Sequence, residues 1–547
     1  MPDSTSRPWL RLYSPARPAS LVQEHRTMTE LFEATAAAAP WRTALHYFDG
    51  ALTYSELNER SDSLAVALAE RGFAPGDALA LYTQNDPAFV VGLLAAWKAG
   101  GKAVMVNPMN KARELAHLLT DSGATALLCL DTLYTEVAHA VLPGTSVTTT
   151  VAYSALDGQT RDDPRLFDGM ERAIPDGTLD LEQVFTTYRG KKPAPALPDG
   201  DDVAVLSYTS GTTGAPKGAM NTHASMAFNC QTYREWTALT ETDRILGLAP
   251  LFHITGLIGH VGAALLTGCP LILAHRFEPS VMLDAIREHH PTFTVGAITA
   301  FIALTSRPDV SKDDFASFRI VYSGGAPIAP AVHDRILDDT GVDIHNIYGL
   351  TETNSPTHAV PMGRRAPVDP ATGSLSVGVP VFDTLSRIVD DEGEEVRPGT
   401  IGEIVTSGPQ VVPGYWNDPV PFPGGELRTG DVGFMDHEGW FYVVDRKKDM
   451  INASGYKVWP REVEDVLLAH PDVQEAAVIG VPDDYRGETV KAFVVLRPGA
   501  SATQEDLIEH CRTQMAAYKY PRSIEFLDTL PKTISGKTLR RALRPPG

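Results

Sequence analysis

A chain of 547 residues is longer than one ordinary hydrophobic core organises, so two or more domains are expected. With 43% hydrophobic and 21% charged residues, wholesale disorder is excluded. A formal net charge of −21 argues against nonspecific nucleic-acid binding. The four cysteines (Cys129, Cys230, Cys269, Cys511) form no CxxC pair, which argues against a disulfide scaffold or a zinc site and suits a reducing cytoplasm.

Residues 1–26 carry Arg7, Arg11, Arg17 and Arg26 among prolines and serines. They lack the continuous apolar core of a secretory signal, and a flexible, surface-lying leader is expected. Beyond it, short apolar runs alternate with helical patterns. Thr53 with Glu56 forms a capping-box pattern opening a helix over 54–71. A strand over 78–82, a helix over 88–99 and strands over 103–106 and 124–130 come next. Such alternation predicts an α/β architecture with a mainly parallel sheet. The proline-rich stretch 190–202 leads into a strand over 203–207. From Ile245 to His275 no Asp, Glu, Lys or Arg occurs, but Pro250, His253, Gly256, Gly259, His260, Gly262, Gly268 and Pro270 interrupt the run. A buried strand–loop–helix–strand passage is expected there rather than a transmembrane segment. Five charged residues, 445–449, come after a strand over 441–444 and suit a solvated hinge between domains. A compact α+β unit is expected after it: a helix opened by Pro460, strands over 475–481 and 490–497, a helix over 504–515 and a strand over 523–526. The predicted fold is therefore a large N-terminal domain of helix-covered sheets (27–444), a hinge (445–449) and a smaller mobile α+β domain (450–547).

The strongest local signal is YTSGTTGAPKG, Tyr208–Gly218. Three glycines let backbone N–H groups approach phosphate oxygens, five hydroxyl side chains add donors and Lys217 adds a cation. A flexible surface turn is the plain alternative; it suits a loop that comes after a strand and ends in Pro-Lys-Gly less well. No Gly-Lys-Ser/Thr closes the loop, so it departs from the Walker A pattern.

The loop resembles the phosphate loop of the adenylate-forming (AMP-binding) superfamily, and further blocks of that family's pattern occur in order. They are Ala249–His253 (APLFH), Ser323–Pro327 (SGGAP), Tyr348–Thr353 (YGLTET), Gly402-Glu403 with Gly414–Trp416, Arg428–Asp431 (RTGD), Val444–Ile451 with Ser454–Lys457, and Pro531–Lys537 (PKTISGK). The last two blocks look closest to the acyl-CoA synthetase, or fatty-acid–CoA ligase, branch.

The resemblance implies that the protein activates a carboxylic acid with ATP to an acyl-adenylate, releases pyrophosphate, and forms a thioester with coenzyme A. It also implies roles for individual residues. Thr209, Ser210, Gly211, Thr212, Thr213, Gly214 and Lys217 would hold the β- and γ-phosphates. Glu352 would hold Mg²⁺ together with the Thr209 hydroxyl. Gly324, Gly325 and Ala326 would leave room for the adenine and the acyl chain. Tyr348 would stack on the adenine, within a nucleotide segment that includes Gly349 and Thr351. Asp431 and Arg446 would hold the ribose. Lys537 would be the principal catalytic residue, reaching both the substrate carboxylate and the α-phosphate, although Lys532, Arg540, Arg541 and Arg544 nearby also allow a merely basic tail. By the same resemblance, Lys448 lies at the hinge, Gly455 lines the pantetheine tunnel, and His253 swings to open it.

Other readings stay open, a luciferase-like oxygenase and a non-enzymatic descendant of a ligase among them. A stand-alone adenylating enzyme would pass the acyl group to a carrier protein or a separate acyltransferase. An ATP hydrolase or nucleotide-binding regulator would need no acid and would not use Lys537. Apolar residues around Phe252, Ile254, Leu257, Ile258, Ile298 and Phe301 favour an apolar acyl or cyclic body in the substrate.

Overall fold

A computed structural model describes residues 7–209, 215–418, 420, 422–453, 456–483, 487–533 and 537–544. Four sheets form among them. In the first, the apolar runs Ala78–Tyr82, Lys102–Val106 and Ala126–Leu130 lie side by side and parallel, flanked by Thr149–Tyr153 and Val203–Thr209. Every residue of Ala78–Tyr82 and Ala126–Leu130 is buried, as expected of parallel strands covered on both faces. Helix Tyr54–Ala69 begins at Thr53 with both arms of the capping box made. It packs on helix Pro87–Lys98, whose residues from Ala88 onward are all buried.

The second sheet is nine-stranded. It runs from Val379–Pro380 through Ile344–Tyr348, Ile320–Ser323 and Phe293–Gly296 to Gly50–Thr53 at the far edge. The uncharged passage enters it as strand Ile245–Leu246, a helical stretch from Ile254 to Thr267 and strand Leu271–Leu273. Glycine lets this helix pack closely: a β-carbon at Gly259 would stand 2.8 Å from Val295 Cγ1 and 2.9 Å from the Tyr233 ring. No helix among the described residues is long and apolar enough to cross a membrane. All four cysteines are buried and free.

A third, antiparallel sheet (Leu385–Val389, Gly402–Ser407, Leu427–Met435, Phe441–Arg446) leads to the smaller C-terminal domain. That domain has its own five-stranded sheet and its own core, including Ile451, Val463, Leu467, Val478, Val494 and Ile524. Its hairpin Val473–Asp483/Gly487–Leu496 extends beyond the expected strands because the pairing ladder carries polar residues and Pro482 with it.

Two expectations are corrected. The leader is not loose where it is described. Pro8–Leu12 forms a 3-10 turn, Trp9 and Tyr13 are buried, Trp9 meets the Phe441 ring edge-on, and the Tyr13 hydroxyl donates to the Pro380 carbonyl at 2.7 Å. Two aromatic side chains outweigh the polar composition around them. Nor is the 445–449 run uniformly solvated. The strand continues through Arg446, Asp445 is buried, and only Lys447 and Lys448 are exposed, in the 3-10 turn Lys447–Asp449. A buried aspartate is tolerated here because cations surround it.

Candidate active site

The glycine-rich segment joins two antiparallel strands, Val203–Thr209 and Lys217–Thr222, with Thr209 paired opposite Lys217. Ser210, Gly211, Thr212, Thr213 and Gly214 lie outside the described residues, as does Gly455. Both strands are tied down beside the segment. The Tyr208 hydroxyl donates to Asp121 at 2.6 Å, and the Trp416 N–H donates to the Gly218 carbonyl at 2.7 Å. Lys217 is exposed, donates to Asp418 at 3.0 Å and sits 5.2 Å from the Tyr415 ring centroid.

Tyr415 connects this hairpin to Glu352: its hydroxyl donates to Glu352 Oε1 at 2.6 Å. Glu352 is buried in the turn Thr351–Thr353. Side-chain amides fix that turn from behind. Asn221 donates to the Thr351 carbonyl, and Asn229 donates to the carbonyls of Thr353, Asn354 and Pro356. Neither the tyrosine bond nor the amide buttress was visible in the sequence. The only signals were the aromatics in Gly414–Trp416 and the asparagines Asn221 and Asn229 on either side of a helix start.

Tyr348 ends its strand next to Gly349, and its hydroxyl donates to Asp431 Oδ2 at 2.7 Å. Arg446 Nε lies 2.7 Å from Asp431 Oδ1. Burial pushes the Asp431 carboxyl upward, and Arg446 and the Tyr348 hydroxyl pull it back down. The Tyr348 ring lies beside His358, with centroids 5.4 Å apart.

Lys537 arrives from the C-terminal domain. Its backbone is held by Thr533, whose N–H donates to the Lys537 carbonyl at 2.7 Å. Its side chain crosses Gly325, which lies just beyond strand Ile320–Ser323 and Gly324 and precedes Ala326. Burial lowers its ammonium pKa and Arg446 adds to the effect; Asp431 and Glu352 oppose it. The His253 imidazole is pushed down to about 3, first by burial and then by Lys537. Its Nδ1 accepts the Thr255 N–H at 3.3 Å, capping the helix that begins at Ile254. Lys537 therefore meets His253, Gly325, Glu352, Asp431 and Arg446, with Tyr348 joined to Asp431, residues drawn from separate motif blocks. Lys448 stays on the surface turn at the domain junction.

Two domains thus place an acidic–arginine pair, a buried carboxylate and an incoming lysine around one site. The family model for the AMP-binding enzyme matches residues 32–416, and that for the AMP-binding enzyme C-terminal domain matches residues 462–537. The chain belongs to the AMP-binding enzyme family. It is 35% identical to a long-chain-fatty-acid–CoA ligase of Bacillus subtilis (strain 168), with 98% of each chain covered. It is 38% identical to a feruloyl-CoA synthase of Amycolatopsis sp, covering 93% of this chain and 96% of that one. Among solved structures, an anthranilate CoA ligase in complex with anthranoyl-AMP superposes with a TM-score of 0.85 at 28% identity, covering 96% and 97% of the two chains. A benzoate CoA ligase from Burkholderia xenovorans LB400 gives 0.82 at 26% identity, covering 95% and 100%.

Proposed function

We propose that this AMP-forming acid–CoA ligase acts on a carboxylic acid with an apolar fatty or aryl body, and that Lys537 serves its first half-reaction. In that step a carboxylate oxygen attacks the α-phosphorus of ATP, an O–P bond forms, the bond to the β-phosphate breaks and pyrophosphate leaves. Two anions must meet, so the site's task is to orient them and neutralise charge. Lys537 reaches the centre between Asp431 and Glu352 and supplies the mobile cation. Asp431, steadied by Arg446 and Tyr348, accepts the ribose hydroxyls. Thr209 and Lys217 flank the polyphosphate. In the second step the coenzyme A sulfur attacks the acyl carbonyl, loses its proton, and AMP leaves as the C–O bond breaks.

The observation that carries the reading is Lys537, delivered by the small domain across Gly325 into the cleft that holds Asp431 and Glu352. Mg²⁺ fits the donor set. Glu352 is a buried carboxylate with a hydroxyl bonded at one oxygen, and no cluster of three His, Cys, Asp or Glu that could hold a metal occurs among the described residues. A single carboxylate, with the Thr209 hydroxyl and phosphate oxygens, meets the preference of Mg²⁺ for oxygen ligands. Bound there, the ion would neutralise phosphate charge. We place the domain boundary at 445–449, where the third sheet ends and the separate C-terminal core begins. The site is expected to work in the cytoplasm, where ATP and coenzyme A are supplied.

The apolar preference rests on the uncharged passage Ile245–His275, with Ile254, Leu257 and Ile258 buried just after His253 in the chain, and on the buried Phe301. Purified enzyme given ATP, Mg²⁺, coenzyme A and a panel of acids tests it, with acyl-CoA and pyrophosphate measured together. Turnover of fatty or aromatic acids above dicarboxylic and amino acids is expected. Equal or better turnover of charged acids would remove the apolar assignment. Adenylate without thioester would identify an acceptor other than coenzyme A.

A further inference from the structure

Arg540 lies three residues after Lys537, in a tail whose basic composition suggests solvation. Its side chain is instead largely enclosed, at 19% exposure, among three carboxylates. Nη2 lies 2.8 Å from Glu464 Oε2 and 2.9 Å from its Oε1, Nη1 donates to Asp445 Oδ1 at 3.0 Å, and Asp449 Oδ2 stands 3.5 Å away. The forked guanidinium suits such simultaneous engagement; an ammonium could not reproduce it.

These partners belong to different bodies. Glu464 lies on helix Pro460–Leu468 of the small domain, as Arg540 itself does beyond the hinge. Asp445 is on the last strand of the third sheet, at the large-domain end of the 445–449 junction, beside the Arg446 that grips Asp431. Asp445 is also fully engaged: Oδ1 accepts the Arg446 N–H at 2.7 Å, and Oδ2 accepts the Arg461 N–H at 3.0 Å. Arg461 in turn donates to the Ile328 carbonyl of the large domain at 3.1 Å. The Arg540–Glu464 pair therefore moves with the small domain, whereas the Arg540–Asp445 pair crosses the junction and exists only while the two domains are docked as they are here.

We propose that Arg540 is a positioning residue that latches the small domain in the lysine-in arrangement, by joining Glu464 to Asp445 within one short segment of Lys537. The proposal rests on the two-step reading above and adds a residue to it. The family resemblance implies that the small domain turns about the hinge between the two steps, so the latch favours adenylation and opens before thioester formation. Removing it leaves Asp445 and Glu464 as facing carboxylates, which pushes the docked arrangement apart.

Full-length wild type, Arg540→Gln, Arg540→Lys and Asp445→Asn are compared in two assays: acid-dependent pyrophosphate–ATP exchange, and conversion of supplied acyl-adenylate to thioester by coenzyme A. Arg540→Gln is expected to slow exchange by about tenfold or more, the scale of losing one orienting contact. Its KM for ATP and its thioester rate are expected to stay near wild type, and Arg540→Lys to fall between. Asp445→Asn cuts the cross-junction charge pair without removing Arg540, should show the same bias, and serves if Arg540→Gln does not fold. Equal losses in both assays would mark a merely structural arginine and overturn the latch, as would unchanged exchange. Wild-type enzyme without acid-dependent exchange would overturn the ligase reading and the latch with it; normal wild-type exchange with unbiased variants would overturn the latch alone.

Discussion

Lys537 passes over Gly325 so closely that a β-carbon there would stand 3.2 Å from the lysine Cε. Gly325 also has a φ of +82°, a conformation that costs other residues about 1 kcal/mol or more. A side chain at this position would narrow the lysine's path while leaving Asp431 and Arg446 in place. Gly325→Ala is expected to lower adenylation by roughly tenfold or more, with a smaller effect on thioester formation from supplied acyl-adenylate. Half-reaction assays on the purified variant check this, and equal losses would contradict the steric account.

Lys537 itself bears the larger consequence. Removing a preorganised cation from a charged transition state costs roughly 10²–10³ in rate. Lys537→Ala is expected to lose adenylation on that scale and still convert supplied acyl-adenylate to acyl-CoA. Rapid-quench measurement of each step separates the two, and a comparable collapse of the second step would refute the division of labour.

The hydrogen bond from Tyr415 to Glu352 sets a graded expectation for magnesium. Glu352→Gln removes the carboxylate charge from the ligand itself and should raise the Mg²⁺ needed for half-maximal rate by about 100-fold or more, beyond the roughly 10- to 100-fold that comes with losing a group that only supports a ligand. Tyr415→Phe keeps the carboxylate and loses only its 2.6 Å donor, so a change of roughly tenfold is expected. Magnesium titration of the initial rate distinguishes them, and a larger effect at Tyr415 than at Glu352 would displace Glu352 as the principal ligand.

Acid should destabilise the fold partly through His223. The residue is buried, its Nδ1 accepts the Met28 N–H at 3.2 Å, and burial pushes its pKa from 6.5 to about 4. Between those values the unfolded chain holds the proton and the folded chain does not. Stability is therefore lost as pH falls from about 6.5 towards 4, by a total on the order of 3 kcal/mol. Asn at this position offers an acceptor without a titrating ring. Urea unfolding at pH 7 and pH 5 should show a smaller loss for His223→Asn than for wild type by roughly 2 kcal/mol. Parallel losses would show that His223 is not a source of the pH dependence.

Much of this architecture was legible because local chemistry agreed with tertiary demand. The Thr53–Glu56 capping box forms, and a final strand lies at Ser523–Phe526 as expected. The motif residues Asp431, Arg446, Tyr348 and Lys537 converge because sheet ends and the small domain's docking bring them together. What escaped was pairing at long range. Asp445 read as solvated because its guanidinium partner, Arg540, is 95 residues away in sequence. The leader read as loose because Trp9 and Tyr13 find their aromatic neighbours, Phe441 and Trp236, only in the folded chain. Tyr415 could not be joined to Glu352 without knowing that Gly414–Trp416 lies against the strand Lys217–Thr222.

The most direct test of the mechanism traces an oxygen atom. Enzyme turning over an acid labelled with ¹⁸O in its carboxylate, with unlabelled ATP in ordinary water, yields AMP for mass spectrometry. Attack of the carboxylate on the α-phosphorus requires one labelled oxygen to remain on AMP when the acyl group departs to coenzyme A. Label in AMP at one atom per acyl-CoA formed is the expected result. Unlabelled AMP, or label found only in inorganic phosphate, would mean that no acyl-adenylate is formed and would contradict the mechanism.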